Sequence, residues 1–109
     1  MSHLRATVLI RADGPLIRLT GEIDRQSVGQ LESALTQPGA ARGATTTRVD
    51  LAGLSFCGSS GLRAFLVADE RARSRGDALV LTNVPPAVAR LFALTGADRR
   101  LTVEPGDAG

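Results

Sequence analysis

The chain has 109 residues, a formal net charge of +2 and a single cysteine, Cys57. This length suits one domain with one hydrophobic core, and a lone cysteine excludes an internal disulfide. No apolar run approaches the roughly 20 residues of a membrane-spanning helix, and no hydrophobic leader opens the sequence, so we expect a cytoplasmic protein without membrane insertion.

All thirteen basic residues are arginines, and acidic residues interrupt their clusters. The densest cluster, residues 69–77, contains three arginines and three acidic residues, and the chain has no Trp or Tyr on which bases could stack. We therefore expect this segment to be a solvated helix face with its own counter-charges, Asp69 among them. We expect no nucleic-acid binding.

The first predicted elements are two strands and a helix. Residues 6–11 and 16–23 are β-rich and flank turn residues at 13–15, which predicts a hairpin. From Asp24 the apolar spacing becomes helical, Asp24 is a suitable N-cap, and the pair Pro38 and Gly39 ends this first helix.

The second half of the chain alternates strands and helices. After a small-residue loop at 40–44, a strand is predicted over 45–51, followed by a short loop. The longest helix is predicted over 62–75, with Gly76 after it. The remaining predicted elements are a strand over 78–83, a helix over 87–94 introduced by Pro85 and Pro86, and an edge strand over 101–103.

This order, ββαβαβαβ, predicts an α/β fold with one mixed, largely parallel open sheet of about five strands and crossover helices. We expect a single domain over 1–109, with a core over about 4–103 and a disordered tail at 104–109. Sites on such sheets lie in loops that follow the carboxyl ends of strands. The sequence thus indicates the loops at 21–24 and 54–61, which both contain polar residues at helix starts.

Three stretches resemble the STAS domain of bacterial anti-sigma factor antagonists: TGEID at 20–24, VDLAGLSFCGSSGL at 49–62 and LFALTG at 91–96. The resemblance implies a STAS fold and a protein that is not an enzyme. It implies that the unmodified domain binds an anti-sigma factor, which is also a serine kinase, and so frees a sigma factor. ATP would belong to that partner, and no cofactor is expected here.

The serine loop carries the most specific part of this resemblance. Ser59, two residues before Gly61, matches the serine that the partner kinases of the family phosphorylate to reverse binding. Ser60 is the alternative acceptor. Where the family has Asp just before this serine, the sequence has Gly58, which can neither orient the hydroxyl nor draw off its proton.

The resemblance also implies a docking surface at the serine loop, the exposed face of the following helix and the start of the first helix. Its expected residues are Asp24, Arg25, Gly58, Ser59, Ser60, Arg63, Val67 and Glu70. For Asp24 and Ser59, simple helix capping stays open as an interpretation. We expect a monomer or weak dimer.

Other classes of function receive less support from the residues. Cys57 and the only histidine, His3, lie far apart in sequence, so neither cysteine catalysis nor a metal site is indicated, and we expect Cys57 to be a buried packing residue. Three alternatives stay open: a non-switching accessory subunit of a membrane lipid transporter, a scaffold in a signalling assembly and a small nucleotide-binding module. Gly58 favours the first two.

Overall fold

The computed structural model describes residues 3–12, 14–36 and 46–104, which form one five-stranded sheet and three α-helices. The strands lie in the order in which they occur in the chain; the first pair is antiparallel and the later pairs are parallel. The strands are β1 Leu4–Arg11, β2 Gly14–Ile23, β3 Thr46–Cys57, β4 Ala78–Thr82 and β5 Thr102–Glu104. The helices are α1 Val28–Thr36, α2 Ser59–Ser74 and α3 Pro86–Thr95, and a 3-10 turn covers Ala97–Arg99. The predicted fold class is confirmed.

All three helices pack on one face of the sheet. Each parallel connection moves one strand further in the same direction, and right-handed crossovers of this kind place their helices on the same side. The core agrees, because it joins alternate strand residues such as Ile17, Val49 and Leu81 to Phe65 of α2 and Phe92 of α3. Because β2 and β3 are parallel, the β2–α1 and β3–α2 connections both start at the same end of the sheet.

Several predicted boundaries were wrong near that end. Strand β3 continues to Cys57 instead of ending at Leu51, because it stays paired with β2 at residues 53, 54, 56 and 57 across register shifts. Helix α2 begins at Ser59 instead of Leu62, since a first turn of Ser, Ser and Gly has low helix propensity and gives no periodic signal. Helix α1 begins at Val28, after a turn that follows Asp24.

Asp69 contradicts the expectation of a solvated face. Its residue surface is only 6% exposed, and its carboxylate forms an ion pair with Arg73 Nε at 3.0 Å. Arg73 also donates a hydrogen bond to the carbonyl of Arg100 at 2.6 Å. Burial raises the pKa of Asp69, and the charges of Arg73 and Arg100 partly oppose that shift. The ion pair of Asp69 with Arg73 and the hydrogen bond from Arg73 to Arg100 link the second half of α2 to the residues that lead into β5.

Some predicted features lie outside the described residues. These are part of the hairpin turn at residue 13, the helix stop at 38–39, the loop at 40–44, the start of the next strand at residue 45 and residues 105–109 of the predicted tail. The expectation that Glu104 belongs to a disordered tail was wrong, because Glu104 is the last residue of β5 and pairs with Thr82 of β4. Within the described part of the chain, no helix is both long and apolar enough to cross a membrane.

Candidate functional site

The two loops indicated by the sequence meet in space. The N–H of Gly58 donates a hydrogen bond to the carbonyl of Ile23 at 3.0 Å, and Ser55 Oγ donates to the carbonyl of Gly21 at 3.1 Å. These bonds hold the end of β3 against the end of β2. The loop after β2 and the start of α2 consequently form one site.

Asp24 caps the turn that begins α1. Its Oδ1 accepts hydrogen bonds from the backbone N–H of Gln26 at 2.9 Å and of Ser27 at 3.1 Å, as an N-cap carboxylate does. In return, the N–H of Asp24 donates to Ser27 Oγ at 3.0 Å, and that hydroxyl donates to the carbonyl of Glu22 at 2.8 Å. Asp24 therefore caps the turn that precedes α1, whose first helical residue is Val28.

Ser27 was missed by sequence reasoning, although it is only 2% exposed and completes this reciprocal cap. The available signal was its position three residues after Asp24, because a polar residue at that spacing can return a hydrogen bond to the cap.

The start of α2 is arranged differently, because its N-cap is a glycine. Gly58 has extended backbone angles, φ −90° and ψ −174°, and no side chain caps the helix. Its carbonyl accepts the first helical hydrogen bond, from the N–H of Leu62 at 3.1 Å. Ser59 is therefore the first helical residue, and its side chain is exposed, whereas Ser60 is partly buried. Neither serine is the cap.

The first turn of α2 lies directly on the sheet at Gly61. A Cβ atom on this buried residue would lie 2.6 Å from Ile23 Cγ2 and 2.9 Å from Cys57 Sγ. Cys57 is itself buried, as predicted, and burial raises the pKa of its thiol to about 11. A protonated, enclosed thiol is a packing group with low reactivity.

Phe56 is a further residue of the site that sequence reasoning missed. This residue is 52% exposed, and it lines an open depression where the two loops meet. The other lining residues are Asp24, Arg25, Gln26, Gly58, Ser59 and Ser60. Strict alternation from the buried Leu54 points Phe56 inward, but Ser55 is an extra residue in the pairing with β2, and this irregularity turns the ring outward.

The depression thus unites five of the predicted docking residues and adds Phe56 and Gln26. The other three predicted residues, Arg63, Val67 and Glu70, continue from it along α2 and are exposed. Their spacing of three or four residues from Ser59 onward places them in one stripe on the helix surface. Among the described residues, no three His, Cys, Asp or Glu side chains come together as a metal site requires.

Comparisons with known proteins place this geometry in a family context. A family model described as "Mlab, STAS domain" matches residues 7–104. A solved anti-sigma factor antagonist from Mycobacterium paratuberculosis is 22% identical, with a TM-score of 0.80 over 93% of this chain and 85% of that chain. The phosphorylated form of SpoIIAA, a Bacillus cell fate determinant, is 22% identical, with a TM-score of 0.66 over 95% and 91%. A sulfate transporter family protein from Wolinella succinogenes is 13% identical, with a TM-score of 0.68 over 91% and 80%. At these identities the solved structures show a shared fold.

Proposed function

This chain belongs to the STAS domain family, and from that premise we propose that it is an anti-sigma factor antagonist. The unmodified domain binds an anti-sigma factor that is also a serine kinase, and a sigma factor is released. The kinase then phosphorylates Ser59 and the complex dissociates. The observation that supports this proposal most is the exposed Ser59 at the depression between the ends of two parallel strands. In this role the domain is a binding protein, and catalysis belongs to the partner.

Ser59 is suited to be the phosphate acceptor by its position. Its hydroxyl is exposed and makes no capping hydrogen bond, so it is available to a kinase. A phosphate on this residue lies at the start of α2, where amide groups and the helix dipole stabilise negative charge. Modification can therefore change the surface without disturbing the core. Ser60 is the alternative acceptor and is less exposed.

Phosphorylation acts on docking through charge. A phosphate adds about −1.5 to −2 charge and must stay hydrated or paired. The neighbouring surface includes the half-exposed ring of Phe56, which offers apolar contact to the partner. A doubly charged group beside that ring opposes the desolvation that apolar contact requires. The proposed docking surface also includes Arg25 and, along α2, Arg63, Val67 and Glu70.

Asp24 has a positioning role in this proposal. Asp24 holds the β2–α1 loop through its capping bonds, so it shapes the depression beside Arg25.

Gly58 supplies no carboxylate next to Ser59, and we expect Gly58→Asp to accelerate phosphorylation by the cognate kinase. An unchanged or lower rate would mean that the carboxylate has no accelerating role at this site.

A second candidate function is a non-switching accessory subunit of a membrane transporter. The solved sulfate transporter family protein with the same fold favours it, as does Gly58 in the place of the family's Asp. In that role the same surface binds a transporter subunit, and Ser59 is not modified.

Phosphate mapping tests the switching function against this second candidate. The purified domain is incubated with ATP, Mg²⁺ and each kinase-like anti-sigma factor encoded beside its gene, and the product is mapped by mass spectrometry. We expect a single phosphate on Ser59, none on Ser59→Ala, and normal phosphorylation of Ser74→Ala, an exposed serine at the other end of α2. No phosphate with any of these kinases would contradict the switching role and favour the accessory role.

A further inference from the structure

The sheet has two edges of different character. Strand β5 is three residues long, whereas β1 is eight residues long and has no strand on its outer side among the described residues. The β1 residues on the helix side of the sheet are all apolar: Leu4, Ala6, Val8 and Ile10. Exposure is high toward the end of the strand, where Val8 is 38% and Ile10 82% exposed. Long edges with exposed apolar side chains are sites of strand pairing.

The backbone of the same four residues points away from β2. The N–H of Glu22 donates to the carbonyl of His3 at 2.9 Å, which marks these two residues as a hydrogen-bonded pair. Hydrogen-bonded and non-hydrogen-bonded pairs alternate along an antiparallel ladder. In the observed register the odd-numbered residues of β1 therefore bond to β2, and residues 4, 6, 8 and 10 present their N–H and C=O groups at the edge.

We propose that two copies of this chain associate through this edge, with their β1 strands antiparallel about a two-fold axis at Thr7. In this register Ala6 pairs with Val8 of the second copy, and Leu4 pairs with Ile10 of the second copy. All four outward-bonding residues then form hydrogen-bonded pairs. The exposed Ile10 comes to lie beside Leu4, which packs against the core.

Charge selects this register over its neighbours. An axis at Val8 would place Arg5 directly opposite Arg11 of the second copy, and like charges directly opposite one another are destabilising. An axis at Ala6 would leave Ile10 beyond the paired residues and exposed. With the axis at Thr7, Arg5 lies opposite Leu9 of the second copy, so the direct Arg5–Arg11 pair is avoided while Ile10 stays within the paired residues.

Cysteine cross-linking tests the register. Two Thr7 residues at the axis form a non-hydrogen-bonded pair with Cα atoms about 4.5 Å apart, a separation that a disulfide can bridge. We expect Thr7→Cys to form an intermolecular disulfide under mild oxidation. The matched control is Arg5→Cys, whose two copies lie about 13 Å apart in this register and should not cross-link. Equal cross-linking of the two variants, or none with Thr7→Cys, would overturn the proposal.

Sedimentation equilibrium tests the association itself. We expect a concentration-dependent dimer whose dissociation constant rises by about tenfold or more in Ile10→Glu, since the carboxylate would face Leu4 of the second copy. Leu94→Glu is the matched control, because Leu94 is 77% exposed on α3, and its dissociation constant should not change. A protein that stays monomeric at every concentration, or a dimer insensitive to Ile10→Glu, would overturn the proposal. If Ile10→Glu lowers the melting temperature of the protein, its effect on association is not specific, and the comparison of Thr7→Cys with Arg5→Cys then tests the proposal.

Discussion

Among single residues, Gly61 shows how the absence of a side chain positions the site. Helix α2 begins at the ends of β2 and β3, and an added Cβ at Gly61 would lie within 3 Å of Ile23 and Cys57. Any Cβ at this position must displace a buried neighbour in a close-packed interior. The direction in which Ser59 points therefore depends on a glycine two residues later in the chain.

We expect Gly61→Ala to lower the free energy of unfolding by about 1–3 kcal/mol, the usual cost of overpacking a core. Gly29→Ala is the matched control, because Gly29 also lies in the first turn of a helix, but its added Cβ would meet nothing within 4 Å beyond the neighbouring backbone of its own helix. The control should gain up to about 1 kcal/mol from helix propensity. Urea denaturation measures both values, and a Gly61→Ala protein as stable as the parent would contradict the packing argument.

The buried carboxylate of Asp69 makes stability depend on pH. Burial raises its pKa above the ordinary value of 3.8, so the folded state binds this proton more tightly than the unfolded chain. The contribution of Asp69 to stability is then largest at low pH and is lost as pH rises through the window above 3.8.

Comparison with Asp69→Asn isolates this effect. The difference in unfolding free energy, parent minus variant, should fall as pH rises from about 3 to about 7, and urea denaturation at several pH values measures it. Arg73→Gln removes a charge that lowers the pKa of Asp69, so this pKa should rise further. The pH range over which the contribution of Asp69 to stability is lost should then be wider. A difference that grows with pH would mean that the ion pair with Arg73 outweighs burial.

Among the elements, α1 and α2 show which helix starts can be predicted from sequence. The start of α1 depends on local chemistry, an Asp that caps the following amides, and residue types reveal it. The start of α2 depends on contacts between distant segments: the bond from Gly58 to Ile23 and the packing of Gly61. The sequence pattern of apolar residues begins only at Leu62, so periodicity alone predicted a helix that was too short.

The N-cap of α2 is a glycine, which has no side chain to accept hydrogen bonds from the first amides, and this leads to a prediction about stability. Gly58 has the extended backbone of a normal cap, so Asp fits there without backbone strain and can accept from the first amides of the helix. We expect Gly58→Asp to raise the free energy of unfolding by a few tenths of a kcal/mol, and Gly58→Ala to lower it by roughly 0.5–1 kcal/mol.

This pair of variants isolates the carboxylate. Both place a Cβ about 3.3 Å from the ring of Phe56, which is half-exposed and can shift. Thermal melting of the two proteins therefore compares cap chemistry at constant steric cost. Equal melting temperatures would mean that the carboxylate does not reach the helix amides.

For the whole molecule, the fold and the place of the site could be predicted because both depend on element order. Alternating strands and helices imply parallel strands whose carboxyl ends share one edge of the sheet, which brings the loop at Asp24 and the loop at Ser59 together. The exposure of Phe56 and the burial of Asp69 could not be predicted in this way. Phe56 is turned outward by an irregularity in the pairing with β2, and Asp69 is buried although its neighbours on α2 are charged, so residue type alone predicts neither outcome.

The affinity of the partner for a charge series at Ser59 tests the central proposal most directly. Isothermal titration calorimetry against the cognate anti-sigma factor would compare the parent, Ser59→Ala, Ser59→Glu and, as a control on the same helix, Ser74→Glu. Full reversal of such a switch needs about 5.5 kcal/mol of differential affinity, and a single carboxylate supplies only part of a phosphate's charge. We therefore expect Ser59→Ala and Ser74→Glu to bind like the parent, and Ser59→Glu to bind about tenfold more weakly or worse. Its thermal stability should be unchanged or higher, since an acid at a helix N-terminus is favourable. Equal affinities for all four proteins would contradict the proposal that charge at Ser59 controls docking.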